Sequence, residues 1–384
     1  MHRPALPARL ATVAGAAALL LVACGGATPS TDPAGESRIP VTVTESGCEP
    51  GALTAPAGRV VFEVTNGGPD IGEFEVLDGD RVVDEVENIV PGFVVNFATR
   101  IDGGDYQLVC YALRSPRGTL AVSGGVAAEP SSHVIDAATL AGYQEQYESY
   151  VLEQAAELKT QLAPFVAAIE AGDLEAAKAA YAPSRPAWER IEPVAELFAD
   201  LDVRMDAREE DFAGGNTDPE FLGWHRLEKG LWADGTTDGL APIASGLAAD
   251  ATDLETRLKG MVIEPRVIAR GAGELIEEVA QSKLTGEEDR YSEADLWSIS
   301  ANVAGSYHIV DILRPTLQEL DAAYLASIDE AFSAVDGVIG TYAEGDGYQP
   351  FSAISENDLK ALQARMAKLS EVLGELPGRL GLAA

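Results

Sequence analysis

The segment Gly223-Trp224-His225-Arg226-Leu227-Glu228 carries an imidazole and a carboxylate three residues apart. On a helix, side chains at that spacing leave the same face, so His225 and Glu228 could hold one cation between them. The chain has only four histidines against 62 Asp and Glu residues, any of which could complete an oxygen-rich metal site. Taken alone, His-x-x-Glu also describes a solvated or core-satisfied helix pair, so its chemistry depends on what else the fold brings beside it.

The elements that must position this pair fall into two blocks of different periodicity. From residue 38 to 125, short runs of alternating apolar residues are cut by turn signals. Ile39 to Thr44, Val60 to Val64, Phe74 to Leu77, Phe93 to Phe97, Tyr106 to Cys110 and Thr119 to Val122 read as strands, punctuated by Asn66-Gly67, Asp78-Gly79 and Asp102-Gly103-Gly104. A domain of about ninety residues with turns this regular predicts an antiparallel β-sandwich or barrel. Residues 126–137, with Glu129-Pro130-Ser131-Ser132, read as a linker. From 138 to 384 the repeat becomes helical, and roughly nine or ten helices are expected, including Tyr143 to Ala171, Trp188 to Phe198, Phe221 to Trp232, Ala294 to Leu313 and Leu317 to Thr341. That length of amphipathic helix implies one large or two small packed bundles.

Residues 1–23 have the form of an export signal: Arg3 and Arg9 precede an uncharged apolar run from Leu10 to Ala23. At about fourteen residues the run is too short to span a bilayer, which takes roughly twenty. It ends in Leu21-Val22-Ala23-Cys24, which resembles a bacterial lipobox; cleavage there would leave a lipid on Cys24, whereas an ordinary secretory signal would make that cysteine accidental. Residues 24–37, rich in Gly, Ala, Thr, Pro and Ser, fit a flexible tether. Losing two arginines takes the formal charge from -35 to -37. Such a chain repels nucleic acid and anionic headgroups and concentrates cations near its surface. With Cys24 on the lipid, Cys48 and Cys110 remain, and in an exported protein a disulfide is the simplest pairing.

Several segments, read together, resemble the EfeO family of bacterial iron-uptake proteins. They include Tyr181-Ala182-Pro183, Trp188 to Glu196, Asp206-Ala207-Arg208, the Gly-x-His-x-x-Glu segment, Gly286 to Ser292, Asp295-Leu296-Trp297 and Ile309 to Pro315. In the first block, Cys48-Glu49-Pro50, Glu87 to Phe93 and Gly104-Asp105-Tyr106 also match. The resemblance implies a cupredoxin-like β-sandwich at 38–125 followed by an all-α imelysin-like bundle at 138–384. It further implies a helical metal site of His225 and Glu228 with Glu192, Asp206 and Glu288, and with Glu278 and Glu189 as weaker candidates. One imidazole and several hard oxygens suit iron, manganese or zinc. His308 falls outside the motif positions and reads as structural, and Trp188, Trp224, Trp232 and Trp297 read as core packing.

For the sandwich, the resemblance implies ligands Cys48, Glu73, Asp105 and Cys110. Asp105 stands where relatives carry glutamate, and Glu87 could substitute for it. The loop after Cys110 has neither histidine nor methionine, and 38–125 contains no histidine, so a blue-copper site is excluded. A mixed thiolate and carboxylate set could take Cu(II) or Fe(III), while a Cys48–Cys110 disulfide remains the alternative.

The function so implied is a lipid-anchored, extracytoplasmic iron-binding component that exchanges iron with a haem peroxidase and a membrane permease, and is not itself an enzyme. A metallopeptidase is the rival, but its zinc helix would show His-Glu-x-x-His, and only one histidine is present here. A metal-free lipoprotein binding acidic ligands or polysaccharide is the third reading.

Overall fold

The computed structural model describes residues 30–31, 37–79, 81–111, 117–125, 135–212 and 214–382. The proposed signal, Cys24 and most of the linker lie outside them.

Among the described residues the first block and the segment before it form ten strands: β1 (Ser30–Thr31), β2 (Ser37–Thr44), β3 (Gly47–Glu49), β4 (Ala52–Pro56), β5 (Gly58–Asn66), β6 (Gly72–Asp78), β7 (Arg81–Ile89), β8 (Val94–Ile101), β9 (Gly104–Cys110) and β10 (Gly118–Ser123). One sheet runs β1-β2-β5-β8 with β3 on β2, and the other runs β4-β10-β9-β6-β7. Along β10, buried and exposed residues alternate without exception, the period a half-buried strand requires. Phe62, Phe74 and Phe97 meet in the core with ring centroids 5.0 to 6.2 Å apart. The sandwich is not wholly antiparallel: β2 pairs with β5, and β4 with β10, in parallel. Between β2 and β5 the chain visits the opposite sheet through β4, and such a crossover returns it in its original direction. Two residues of the expected tether, Ser30 and Thr31, pair with Arg38 and Ser37 as a short edge.

The second block contains α1 (Ala137–Glu170), α2 (Leu174–Tyr181), α3 (Pro186–Glu189), α4 (Glu192–Ala195), α5 (Ala199–Met205), α6 (Gly223–Trp232), α7 (Ala241–Leu258), α8 (Pro265–Gln281), α9 (Asp295–Leu320), α10 (Ala322–Ile339), α11 (Glu356–Leu373) and α12 (Leu376–Arg379). Asp136 starts α1 by accepting from the backbone N–H groups of Ala138 and Thr139, both at 3.0 Å. The expected helix from Trp188 to Phe198 is instead two single turns, α3 and α4, separated at Ile191 and restarted by Pro193. Conversely, α9 continues through Pro315 to Leu320, where a boundary was expected.

The two blocks pack on each other. Leu77, Val82 and Val109, on the outer face of the second sheet, belong to the core of the helical domain. The Val82 N–H donates to the Leu197 carbonyl at 2.9 Å. Asp84, buried on β7, is clasped by Arg266 at 2.9 Å and by Arg270, both from α8. Strand β7 was not legible as a strand because Asp84, Glu85 and Glu87 interrupt its apolar residues; the helical domain is what buries Asp84.

Candidate metal centre

The end of α5 and the start of α6 set the centre. Gly223 has φ +67, and a Cβ there would lie 2.0 Å from the Met205 carbonyl oxygen. Only glycine permits that approach, which brings the first turn of α6 against Asp206, the residue closing α5. His225 Nε2 consequently lies 3.2 Å from Asp206 Oδ1, while Nδ1 lies 3.9 Å from Glu228 Oε2. His225 and Glu228 are 4% and 1% exposed, so these groups meet without solvent between them.

Neither ring nitrogen of His225 makes an aligned hydrogen bond, and Glu228 Oε2 also lacks a donor. Its Oε1 is fixed by the backbone N–H groups of Tyr291 at 3.1 Å and Ser292 at 2.7 Å. Donor atoms of Asp206, His225 and Glu288 lie within 4.8 Å of one another, and so do those of His225, Glu228 and Asp289. The imidazole therefore has a carboxylate group on each side. An imidazole and several carboxylate oxygens converging in a buried space fit a hard or borderline cation.

The carboxylates are not bare. Arg185, fully buried, reaches Glu189 at 2.5 Å, Asp206 at 2.6 Å, Glu288 at 2.8 Å and Asp289 at 3.7 Å. Arg208 also pairs with Glu288 at 3.1 Å, and the Trp188 indole N–H donates to Asp206 at 2.7 Å. Asp289 accepts from the Tyr181 hydroxyl at 2.7 Å and the Ser298 hydroxyl at 3.1 Å. Burial alone would raise Asp206, but Arg185 and His225 hold it well below the usual carboxylate range. Against the same burial, Lys283, Arg208 and Arg185 pull Glu288 down to about 2. Burial pushes Asp289 up to about 6 despite Arg185. For His225, burial lowers the imidazole but Asp206 and Glu228 overcome it and lift it to about 10, so a proton supplies positive charge where a metal would have to replace it.

Of the helical residues singled out from the sequence, His225, Glu228, Asp206 and Glu288 come together. Glu192 does not join them. It is turned onto Lys283, at 2.7 Å, and Asn302, at 2.5 Å, and groups with Glu196 and Glu278 instead. Glu189 is shared between Arg185 and Lys283, and Glu278 lies 3.2 Å from Lys283. His308 is stacked on Tyr150 with centroids 3.7 Å apart. Asp289 was missed although it sits beside Glu288 in the same motif; a non-helical turn lets two consecutive acidic residues both face inward. Arg185 and Lys283 were missed because no local pattern marks a base as the partner of carboxylates a hundred residues away.

The sandwich set does not converge. Cys48 and Cys110 form a disulfide between β3 and β9, so neither offers a thiolate. Cys110 lies opposite Phe74 and faces the sandwich core, whereas strand alternation sends the adjacent Glu73 to the outer face. Asp105 is exposed near the start of β9, five residues from Cys110 and therefore on the order of 17 Å along the strand. Glu87 ends up on the helical-domain side with Glu73.

Comparison with known proteins places these features in a family. An imelysin family model matches residues 143–376, and a cupredoxin-like domain model matches 15–122. The chain is 43% identical over 346 residues to the iron uptake system component EfeO of Escherichia coli K12, covering 90% of this chain and 92% of that protein. It is 43% identical over 345 residues to the protein of the same name from Yersinia pseudotuberculosis, covering 90% and 91%.

Proposed function

Because this chain belongs to the EfeO family of iron-uptake components, we propose that it is the extracytoplasmic iron-binding member of such a system, with iron held as cargo at the His225 centre. The observation that carries this reading is the buried imidazole with no aligned hydrogen bond at either nitrogen and a carboxylate group on either side. His225, Glu228, Asp206, Glu288 and Asp289 would hold the ion, and Arg185 keeps the surrounding acidic charge from becoming excessive. Residues that already balance one another release a bound ion more readily than an uncompensated acidic cage, which suits a carrier. One imidazole among carboxylates lacks the two-histidine zinc set of a peptidase, so hydrolysis forms no part of the proposal.

Lipidation at Cys24 would hold the protein at the outer face of the cell membrane; no helix among the described residues is long and apolar enough to cross it. A haem peroxidase and a membrane permease are the partners we propose for delivery and removal of the ion. The sandwich could take copper or ferric iron only after reduction of the Cys48–Cys110 disulfide, and even then Asp105 would remain out of reach. Anaerobic calorimetric titration with Fe(II) tests the main reading: H225A and E228A should each abolish one tight site. Unchanged stoichiometry and affinity in both would overturn it.

A further inference from the structure

A cavity of about 190 Å³ lies between the outer face of the second sheet and the segment from α4 to α5, with α8 at one side. Seven of its carboxylates form no ion pair among the described residues: Glu73, Glu75, Glu85 and Glu87 from β6 and β7, and Glu196, Asp202 and Asp211 from the helical domain, of which Asp211 accepts from the Arg208 backbone N–H at 2.7 Å. The contrast with the His225 centre is chemical. There, Arg185, Arg208 and Lys283 all pair with Glu288. Here, Arg208 reaches the cavity but pairs with Glu210 and Glu288, and Arg117, Arg270 and Lys283 act on Glu75, Glu85 and Glu87 only from a distance.

Glu75 and Glu85 face each other directly across the β6–β7 pair, an arrangement of like charges that weakens a sheet. Glu75 is 4% exposed, and its Oε2 has no donor, nor has Glu73 Oε1; both residues line the cavity. A buried carboxylate oxygen without a partner carries a desolvation cost that its surroundings normally meet. Nothing among the described residues meets it here. Burial and neighbouring like charges raise Glu75 and Glu85, and they lift Glu87 to about 7 even though that side chain retains solvent access.

We propose that this cavity is a second cation site, shared by the two domains and adjoining the His225 centre, whose Asp206 and Glu288 also line it, in which Glu75 and Glu85 on the sheet and Glu196 and Asp202 on the helical side hold one hydrated hard di- or trivalent cation. The donors are all carboxylate oxygens, with no imidazole or sulfur, which selects ions of that class. The space exceeds what a bare ion fills, and water in the liquid takes about 30 Å³ per molecule, so the ion keeps part of its hydration shell between the two walls. Without it, the acidic walls repel across a seam held by the Val82–Leu197 hydrogen bond and the Asp84 ion pairs. Occupation of the site therefore strengthens domain docking.

The test uses the full chain and Mn(II), counting free ion by electron paramagnetic resonance in high salt, together with thermal unfolding. E75Q/E85Q should lose one tightly held Mn(II) and the Mn(II)-dependent rise in Tm. Its metal-free Tm should equal or exceed that of the wild type, because a repulsive pair has been neutralised. E196Q/D202N, on the opposite wall, should lose the same ion, and H225A should retain it. Wild-type stoichiometry in E75Q/E85Q overturns the proposal, and so does disappearance of the extra ion from wild-type protein in high salt. Retention in E196Q/D202N alone overturns the sharing between domains. An H225A variant that keeps every ion would count against the helical iron centre and leave this cavity standing.

Discussion

Replacing Arg185 by methionine probes the charge balance on which the helical centre depends. Methionine fills much of the same volume but withdraws a buried cation from four carboxylates, the most distant of them 3.7 Å away. Each keeps some support: Glu189 has Lys283 at 3.0 Å, Glu288 has Arg208 at 3.1 Å, and Asp206 keeps His225 and Trp188. The cluster nevertheless becomes more negative by a full charge in a region water does not reach. Breaking a buried ion pair from one side costs about 3–5 kcal/mol. At about 2–4 °C per kcal/mol for a domain of roughly this size, Tm should fall by about 6–20 °C. Tryptophan fluorescence is a direct probe, since Trp188 donates to Asp206 and Trp224 lies under the guanidinium with 5.3 Å between them. Adding D206N to R185M should recover part of the loss, with a coupling of about 1–3 kcal/mol, because the carboxylate left unpaired is removed as well. Lysine should rescue poorly, since a point charge cannot fork to several acceptors. A loss below about 1 kcal/mol for R185M, well under the cost of a broken buried ion pair, or strict additivity in the double variant, would refute the reasoning.

Two further outcomes follow from local geometry. Gly223→Ala forces a methyl group onto the Met205 carbonyl and must shift the start of α6, so stability should fall by about 1–3 kcal/mol and Fe(II) affinity should drop with it; affinity equal to wild type would show that this contact does not position His225. His308 is half-buried against Tyr150, and burial depresses its pKa despite Asp311 and Glu153. The native ring then binds fewer protons than the unfolded one, so its effect is to lose stability as pH falls below the unfolded value of about 6.5. Its NMR titration midpoint should lie below that value and move up towards it in Y150A, and a midpoint at or above it in wild-type protein would contradict the placement.

Much of the architecture was legible because it rests on short-range repeats. Alternation marked β5, β6, β9 and β10, and helical periodicity marked the bodies of α1 and α6. Strand β7 escaped because three acidic residues in nine look like solvent-facing charge until the arginines of α8 are set against Asp84. The helix expected across Trp188 to Phe198 failed at Ile191, where the chain breaks into single turns and delivers Glu189 and Glu192 to Lys283.

The sequence by itself determined the two-domain order, the acidic character and the His225–Glu228 pair, since composition and i,i+3 spacing are properties of the chain alone. Only the tertiary structure decided that Cys48 meets Cys110 across two sheets, that Glu73 and Asp105 point away from them, and which carboxylates are neutralised. Arg185 answers Asp206 and Glu288, while Glu75 and Glu85 are left facing each other without a partner. The physical reason is that the Coulomb and desolvation energy of a buried carboxylate depends on its distance from cations elsewhere in the fold, and a linear sequence does not contain that distance.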